Sequence, residues 1–468
     1  MTTKYIQDKY QSVSRRVATI SCLLLATTSC QEFIDVGVPK TEITTATVFS
    51  SDASALATLS GVYSKMMASQ SFTNGELERF TGIYADELIN YSSNKERRQF
   101  ATASLLNNNA IVLRYFWAEA YAYILNSNAI LEGVRNSSLL STAVKNQLEG
   151  EALFIRAFCH FYLVNLFGDV PYVTSIDYEI NSRIARMTTT EVYLHIIDDL
   201  KHSKDLMQPE FSLTDPERIR PGKFAVAALL ARVYLYTGNW PLAEQEASSV
   251  IDANTYSLTE LENTFLATSP ETIWQLRPVV PGTNTTQGIL FIMSSSPASS
   301  LGAVSLTTNV MSTFEATDNR ASNWIGTYQR SGVTYKFAYK YKVRYNDVVS
   351  EYSIVLRLAE QYLIRAEARA QQNKLVEAYA DINTIRSRAG LIDAPVSGKN
   401  ALLTAIEKER VCELFTENGH RWLDLKRTHR ATEILTPIKA GWQDTDLLFP
   451  IPDAERVINT NLTQNPGY

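Results

Sequence analysis

The chain lacks a basic excess, a cysteine framework, long apolar runs after its first thirty residues, and every short catalytic signature. Its 468 residues carry 44 Lys and Arg against 49 Asp and Glu, a formal charge of −5. A nucleic-acid binder normally shows a strong basic surplus, so no nucleic-acid partner is expected. The four cysteines, Cys22, Cys30, Cys159 and Cys412, form no Cys-x-x-Cys pair, which argues against thiol-redox and zinc chemistry. There is no His-Glu-x-x-His, Gly-x-Ser-x-Gly or glycine-rich phosphate loop. His160, His195, His202, His420 and His429 show no paired ligand spacing. No catalytic residue, metal or cofactor is therefore expected.

What is present fits a folded chain. Hydrophobic residues make up 45% and charged residues 20%, outside the range of disordered or coiled-coil proteins. A chain of this length buries roughly 75% of its unfolded surface, enough for a core without disulfides. Cys159 and Cys412 sit in apolar helical contexts, where a thiol packs as a small hydrophobe. Their spacing leaves a bridge between them open.

The first thirty residues set an address. Lys4, Lys9, Arg15 and Arg16 precede the apolar stretch 17–26, and the small residues Thr27, Thr28 and Ser29 lead to Cys30. This pattern is too short to span a bilayer and predicts a secretory signal over 1–29. A cysteine directly after small residues resembles a bacterial lipobox, so Cys30 is the predicted lipidation site, with Thr27 where a Leu is usual. No later stretch approaches about 18 consecutive apolar residues, so the mature chain is expected to have no membrane helix.

Beyond Asp52 most of the chain carries helical spacing. Val144, Leu148, Ala152, Ile155, Cys159, Tyr162 and Leu166 recur every three or four residues, and apolar residues on the other faces predict a deeply buried helix that ends at Gly168 and Pro171. Two segments read as helical hairpins of the tetratricopeptide type. The first runs from Pro221 through Ala225, Ala228, Ala231 and Tyr234 to Gly238, then from a cap at Asn239 through Ala243, Ala247 and Ile251. In the second, Ala366, Asn373 and Ala378 repeat the spacing of Ala231, Gly238 and Ala243. Between about 253 and 350 the pattern gives way to breakers such as Pro278 and Pro281-Gly282, predicting loops with a few short strands.

The densest ionisable cluster is Glu407, Lys408, Glu409, Arg410, Glu413, Glu417, Arg421 and Asp424. A glycosidase would use two such carboxylates as acid and base. On a helix through Leu403, Ile406 and Leu414, however, Arg410 falls inside the apolar stripe. A buried guanidinium requires partners, so the cluster predicts an internal ion-pair network reaching Arg421–Asp424. Glu151 and Arg156 flank their own apolar stripe in the same way.

At these residues the chain resembles a known family. The run Gly150-Glu151-Ala152-Leu153-Phe154-Ile155-Arg156-Ala157 with Leu166-Phe167-Gly168-Asp169-Val170-Pro171 is similar to a signature of the SusD/RagB proteins. So are Glu409-Arg410-Val411-Cys412-Glu413-Leu414, Gly419 to Leu425, Phe449-Pro450-Ile451-Pro452 and the ending Asn465-Pro466-Gly467-Tyr468. The resemblance spans essentially the whole mature chain. It implies a mostly α fold, tetratricopeptide-like helical hairpins with an irregular loop-rich ligand-binding side. It further implies an outer-membrane lipoprotein of Bacteroidetes-type bacteria, surface-exposed, which passes oligosaccharides to a TonB-dependent (SusC-like) transporter without catalysis. The expected layout is a signal peptide over 1–29, a lipidated Cys and tether over 30–50, and an N-terminal helical part over 51–252. A loop-rich insertion and C-terminal helical part follow over 253–468, forming one compact unit with it.

Sugars offer flat C–H faces rimmed by hydroxyls, so a site needs aromatic platforms with Asn, Asp or Arg beside them. Two regions hold such mixtures: Tyr84, Asp86, Tyr91, Asn94, Arg97, Arg98 and Phe100, and Asp318, Asn319, Arg320, Trp324 and Tyr328. Tyr84, Asp86, Tyr91, Asn94, Arg98, Arg320, Trp324 and Tyr328 are the predicted ligand contacts, with Trp324 the foremost platform. Trp117, Trp240, Trp274 and Trp422 are expected in the core. A peptide-binding member of the same family and a lipid-anchored glycoside hydrolase are the alternative readings.

Overall fold

The computed structural model describes residues 45–68, 71–209, 217–297, 304–395 and 397–468. The predicted leader, the lipidation site Cys30 and the tether up to residue 44 lie outside the described residues. Helix α1 (Asp52–Met66) starts at Ser51, whose side chain accepts the amide of Ser54. A wide turn over Phe72–Glu76 leads into α2 (Leu77–Tyr84), every residue of which is buried. Strand β1 (Leu88–Asn90) and helix α3 (Lys95–Thr102) follow, then α4 (Glu119–Asn136) and the predicted long helix α5 (Thr142–Phe167). Helix α5 ends at Gly168, as the spacing requires, and its second half is buried on all sides except at Asn165. A reciprocal Thr188–Glu191 cap opens α6 (Thr189–Leu206).

Both predicted hairpins form. Helices α7 (Lys223–Tyr236) and α8 (Trp240–Ile251) turn at Gly238, with Asn239 accepting the amide of Leu242. Beyond α8 lie β2 (Thr272–Leu276), β3 (Val304–Leu306), the short helix α9 (Asn319–Trp324), β4 (Ile325–Arg330), β5 (Val333–Ala338) and β6 (Ser353–Arg357). The second hairpin pairs α10 (Leu358–Gln371) with α11 (Leu375–Arg388) around Asn373, which adopts φ 60°. Helices α12 (Lys399–Leu414) and α13 (His420–Arg427) follow. The strands pair only as antiparallel twos, β1 with β3, β2 with β6 and β4 with β5.

Successive helices α4, α5, α6, α7, α8, α10 and α11 pack side by side, with α12 laid across α10 and α11. Alanines at the contact faces, Ala366, Ala370 and Ala378 among them, allow close approach. Several of these helices are also tied by buried ion pairs. Arg156 reaches Asp199 at 2.7 Å between α5 and α6, Arg232 reaches Glu360 at 2.6 Å between α7 and α10, and Arg365 reaches Asp381 at 2.8 Å between α10 and α11. Arg410 holds Asp424 at 2.7 Å between α12 and α13, which is the network the helical wheel predicts. Glu151 of α5 accepts Arg220 at 2.6 Å. Such forked pairs fix relative position more than they add net stability.

The C-terminal segment closes against the end of α5. Phe449 donates its amide to Leu166 at 2.8 Å, and the Asn465 side chain donates to the carbonyls of Phe167 and Phe449, each at 2.8 Å. Cys159 and Cys412 are both buried free thiols, which resolves the bridge left open by spacing. Among the described residues, no helix is long and apolar enough to cross a membrane.

Candidate functional site

The eight predicted contact residues divide into two groups. Four belong to the interior, which corrects the expectation that they face a ligand. Trp324, the foremost predicted platform, is 0% exposed; its indole N–H donates to the Leu261 carbonyl at 2.9 Å, and Phe265 meets it edge-on at 5.5 Å. Arg320, also 0% exposed, forks onto Asp318 and reaches Glu409 at 2.9 Å and Glu413 at 3.2 Å. Tyr84 is buried among Trp422, Phe100 and Phe449 and donates its hydroxyl to the Asp446 carbonyl at 2.9 Å. Asp86 accepts both arms of Arg421, at 2.6 and 2.8 Å. Apart from Asp318, two residues before Arg320, the partners lie far along the chain. The bonding capacity a ligand would need is already used.

The other four stay at the surface, and two of them, Tyr91 and Tyr328, flank a common third ring, Tyr335. Tyr91 follows β1, whose residues Leu88, Ile89 and Asn90 pair with Leu306, Ser305 and Val304 of β3. The Tyr91 hydroxyl lies 2.8 Å from that of Ser305. Strands β4 and β5 join through Ser331 and Gly332, both at positive φ (50° and 77°), the backbone demand of a two-residue hairpin turn. This turn sets Tyr328 directly opposite Tyr335, and a facing cross-strand pair shares one side of the sheet. Their rings sit 6.3 Å apart, and the Tyr335 ring meets Tyr91 edge-on at 5.7 Å. Gly326 makes the hairpin buildable: a Cβ there would lie 2.2 Å from the Phe337 ring.

Tyr91, Tyr328 and Tyr335 thus form a half-buried cluster in which each ring is held by another. The hydroxyls of Tyr328 and Tyr335 bond no described residue. Asn94 caps α3 by accepting the amide of Arg97 at 3.0 Å, and the exposed Arg98 has no ion-pair partner among the described residues. Tyr335 is the residue sequence reasoning missed. Of the tryptophans assigned to the core, Trp117, Trp274 and Trp422 are buried, whereas Trp240 is only half-buried.

The acidic cluster does not present an acid–base pair. Glu413 is fully buried and accepts Arg357 at 2.6 Å, Arg320 at 3.2 Å and also Arg388. Burial disfavours its charge, but the guanidinium groups of Arg388, Arg357 and Arg320 outweigh that and hold its carboxyl well below the usual range. A general acid must keep a proton near its working pH, and Glu413 cannot.

Comparison with known proteins agrees with this architecture. The family described as SusD-like, starch-binding associating with outer membrane, matches residues 32–235, and the SusD family matches residues 301–468. A SusD-like protein of Formosa agariphila is 28% identical over 517 aligned residues, covering 96% of this chain and 99% of that protein. A SusD superfamily protein of Bacteroides vulgatus shares the fold with a TM-score of 0.77 at 20% identity, over 90% of this chain and 100% of that one. A laminarin-binding SusD-like protein gives a TM-score of 0.72 at 23% identity, over 89% of this chain and 99% of that one. With both matched regions holding the motif residues that build the buried ion pairs, and with the same helical frame throughout, this chain belongs to the SusD/RagB family.

Proposed function

We propose that this chain is a non-catalytic, surface-exposed glycan-binding protein that captures oligosaccharides through Tyr91, Tyr328 and Tyr335. The observation that carries this reading is the meeting of three tyrosines from two separate strand pairs at one half-buried surface. Sugar rings lay their C–H faces on such aromatic surfaces, and free phenolic hydroxyls exchange hydrogen bonds with the hydroxyl rim.

Lipidation at Cys30 tethers the protein to the outer membrane, and a TonB-dependent transporter receives the cargo; family membership supports both steps. The laminarin-binding relative makes β-glucan oligosaccharides the first ligands to try. Isothermal titration with laminarin, starch and other neutral oligosaccharides should show saturable binding of at least one. Tyr335→Ala should then weaken it about fivefold, corresponding to about 1 kcal/mol for one aromatic contact. Binding of peptide pools alone, or release of reducing ends by the purified protein, would overturn the proposal.

A further inference from the structure

A cavity whose lining shares no residue with the tyrosine cluster lies in the helical frame. It has a volume of about 500 Å3 and is walled by the α7–α8 turn, α10, α12 and the end of α13. That volume falls within the roughly 300–1,000 Å3 of small-molecule sites. Three arginines (Arg410, Arg427, Arg430) face three carboxylates (Glu367, Glu407, Asp424) across its lining. The carboxylates are already engaged. Both Asp424 oxygens accept Arg410, one also takes Arg427, both Glu367 oxygens take Arg427, and Glu407 takes Arg430 at 2.6 Å. No net charge remains to attract an ion.

Unused hydrogen-bonding capacity remains at two atoms. Arg410 is only 2% exposed, and its Nη1 finds no partner among the described residues. The Tyr236 hydroxyl is likewise buried and unpaired. Both residues line the cavity while these two atoms are themselves almost closed to solvent; a guanidinium N–H and a phenol left unbonded in this way each lose the hydrogen bond they would have in water, a cost that a ligand oxygen reaching them recovers. Beside them stands Trp240, the half-buried tryptophan at the start of α8.

We propose that this cavity is a second binding site, for one neutral sugar unit stacked on Trp240 with its hydroxyl oxygens on Arg410 Nη1 and the Tyr236 hydroxyl. The charge balance of the lining selects a neutral polyol, and the aromatic wall selects one with an apolar face. Such a site does not depend on the tyrosine cluster and would stand if that surface bound nothing.

The test uses the mature chain labelled with 5-fluorotryptophan, its Trp240 signal assigned with Trp240→Phe and followed by fluorine NMR. The probes are glucose, galactose, mannose and N-acetylglucosamine, with an N-acetylated dipeptide amide as the peptide comparison. At least one sugar should move the Trp240 signal saturably. Tyr236→Phe, which deletes a single oxygen, should weaken that response by about three- to tenfold. The response should persist in a Tyr91→Ala/Tyr328→Ala/Tyr335→Ala variant, which separates this site from the first. No sugar-dependent movement, movement with the dipeptide only, or an unchanged response in Tyr236→Phe would overturn the proposal.

Discussion

Replacing Glu413 by Gln separates a structural carboxylate from a catalytic one. In the native chain its side chain accepts Arg357 at 2.6 Å and Arg320 at 3.2 Å and also pairs with Arg388, all in the interior. Glutamine preserves the shape and removes the charge. Breaking a buried pair by neutralising one member costs about 3–5 kcal/mol. Here each arginine retains another carboxylate: Arg357 keeps Glu271 at 2.8 Å and Glu417 at 2.7 Å, Arg388 keeps Glu271 at 2.6 Å, and Arg320 keeps Asp318 at 2.7 Å. The low end, about 3 kcal/mol, is therefore expected. Urea unfolding followed by tryptophan fluorescence measures the loss, and titration with the best oligosaccharide should show unchanged affinity for the folded variant. A variant as stable as its parent within about 0.5 kcal/mol, or one that loses sugar binding while staying folded, would refute the reasoning.

Other consequences follow from the same geometry. Burial pushes the Glu78 carboxyl from 4.5 to about 7, so the folded state holds this proton more tightly, and its contribution to stability is lost as pH rises through that window. In paired unfolding curves, Glu78→Gln should gain about 3 kcal/mol relative to its parent between pH 4.5 and pH 8; a pH-independent difference would contradict this. Gly326→Val drives a side chain into the Phe337 ring; it should cost about 1–3 kcal/mol and weaken oligosaccharide binding, read by thermal unfolding and titration. Burial raises the thiols of Cys159 and Cys412, the latter to about 12, so peptide mapping after iodoacetamide should find both unmodified in the native chain and alkylated in urea.

The helical frame was legible because its signals are local. Asn239 capping α8, Asn373 at the second turn and the end of α5 at Gly168 all follow from residues a few positions apart. Arg410 was legible too, since a guanidinium on an apolar stripe dictates its own pairing, and Asp424 supplies it. The candidate site was harder to see. Arg320 and Trp324 looked available because the groups that enclose them, Glu409, Glu413 and the Leu261 carbonyl, lie 63 to 93 residues away. Tyr335 was within reach: Ser331-Gly332 flanked by alternating Tyr328, Arg330, Val333 and Tyr335 is a hairpin signal that places the two tyrosines face to face. Its contact with Tyr91 depends on how two strand pairs pack, which no local pattern encodes.

Whether Tyr91, Tyr328 and Tyr335 grip a sugar is tested most directly by a crystal structure of the protein with its tightest neutral oligosaccharide. Density for a sugar ring lying on Tyr335 within contact distance of Tyr91 or Tyr328 is the predicted result. Sugar bound only elsewhere, with those rings bare, would contradict it.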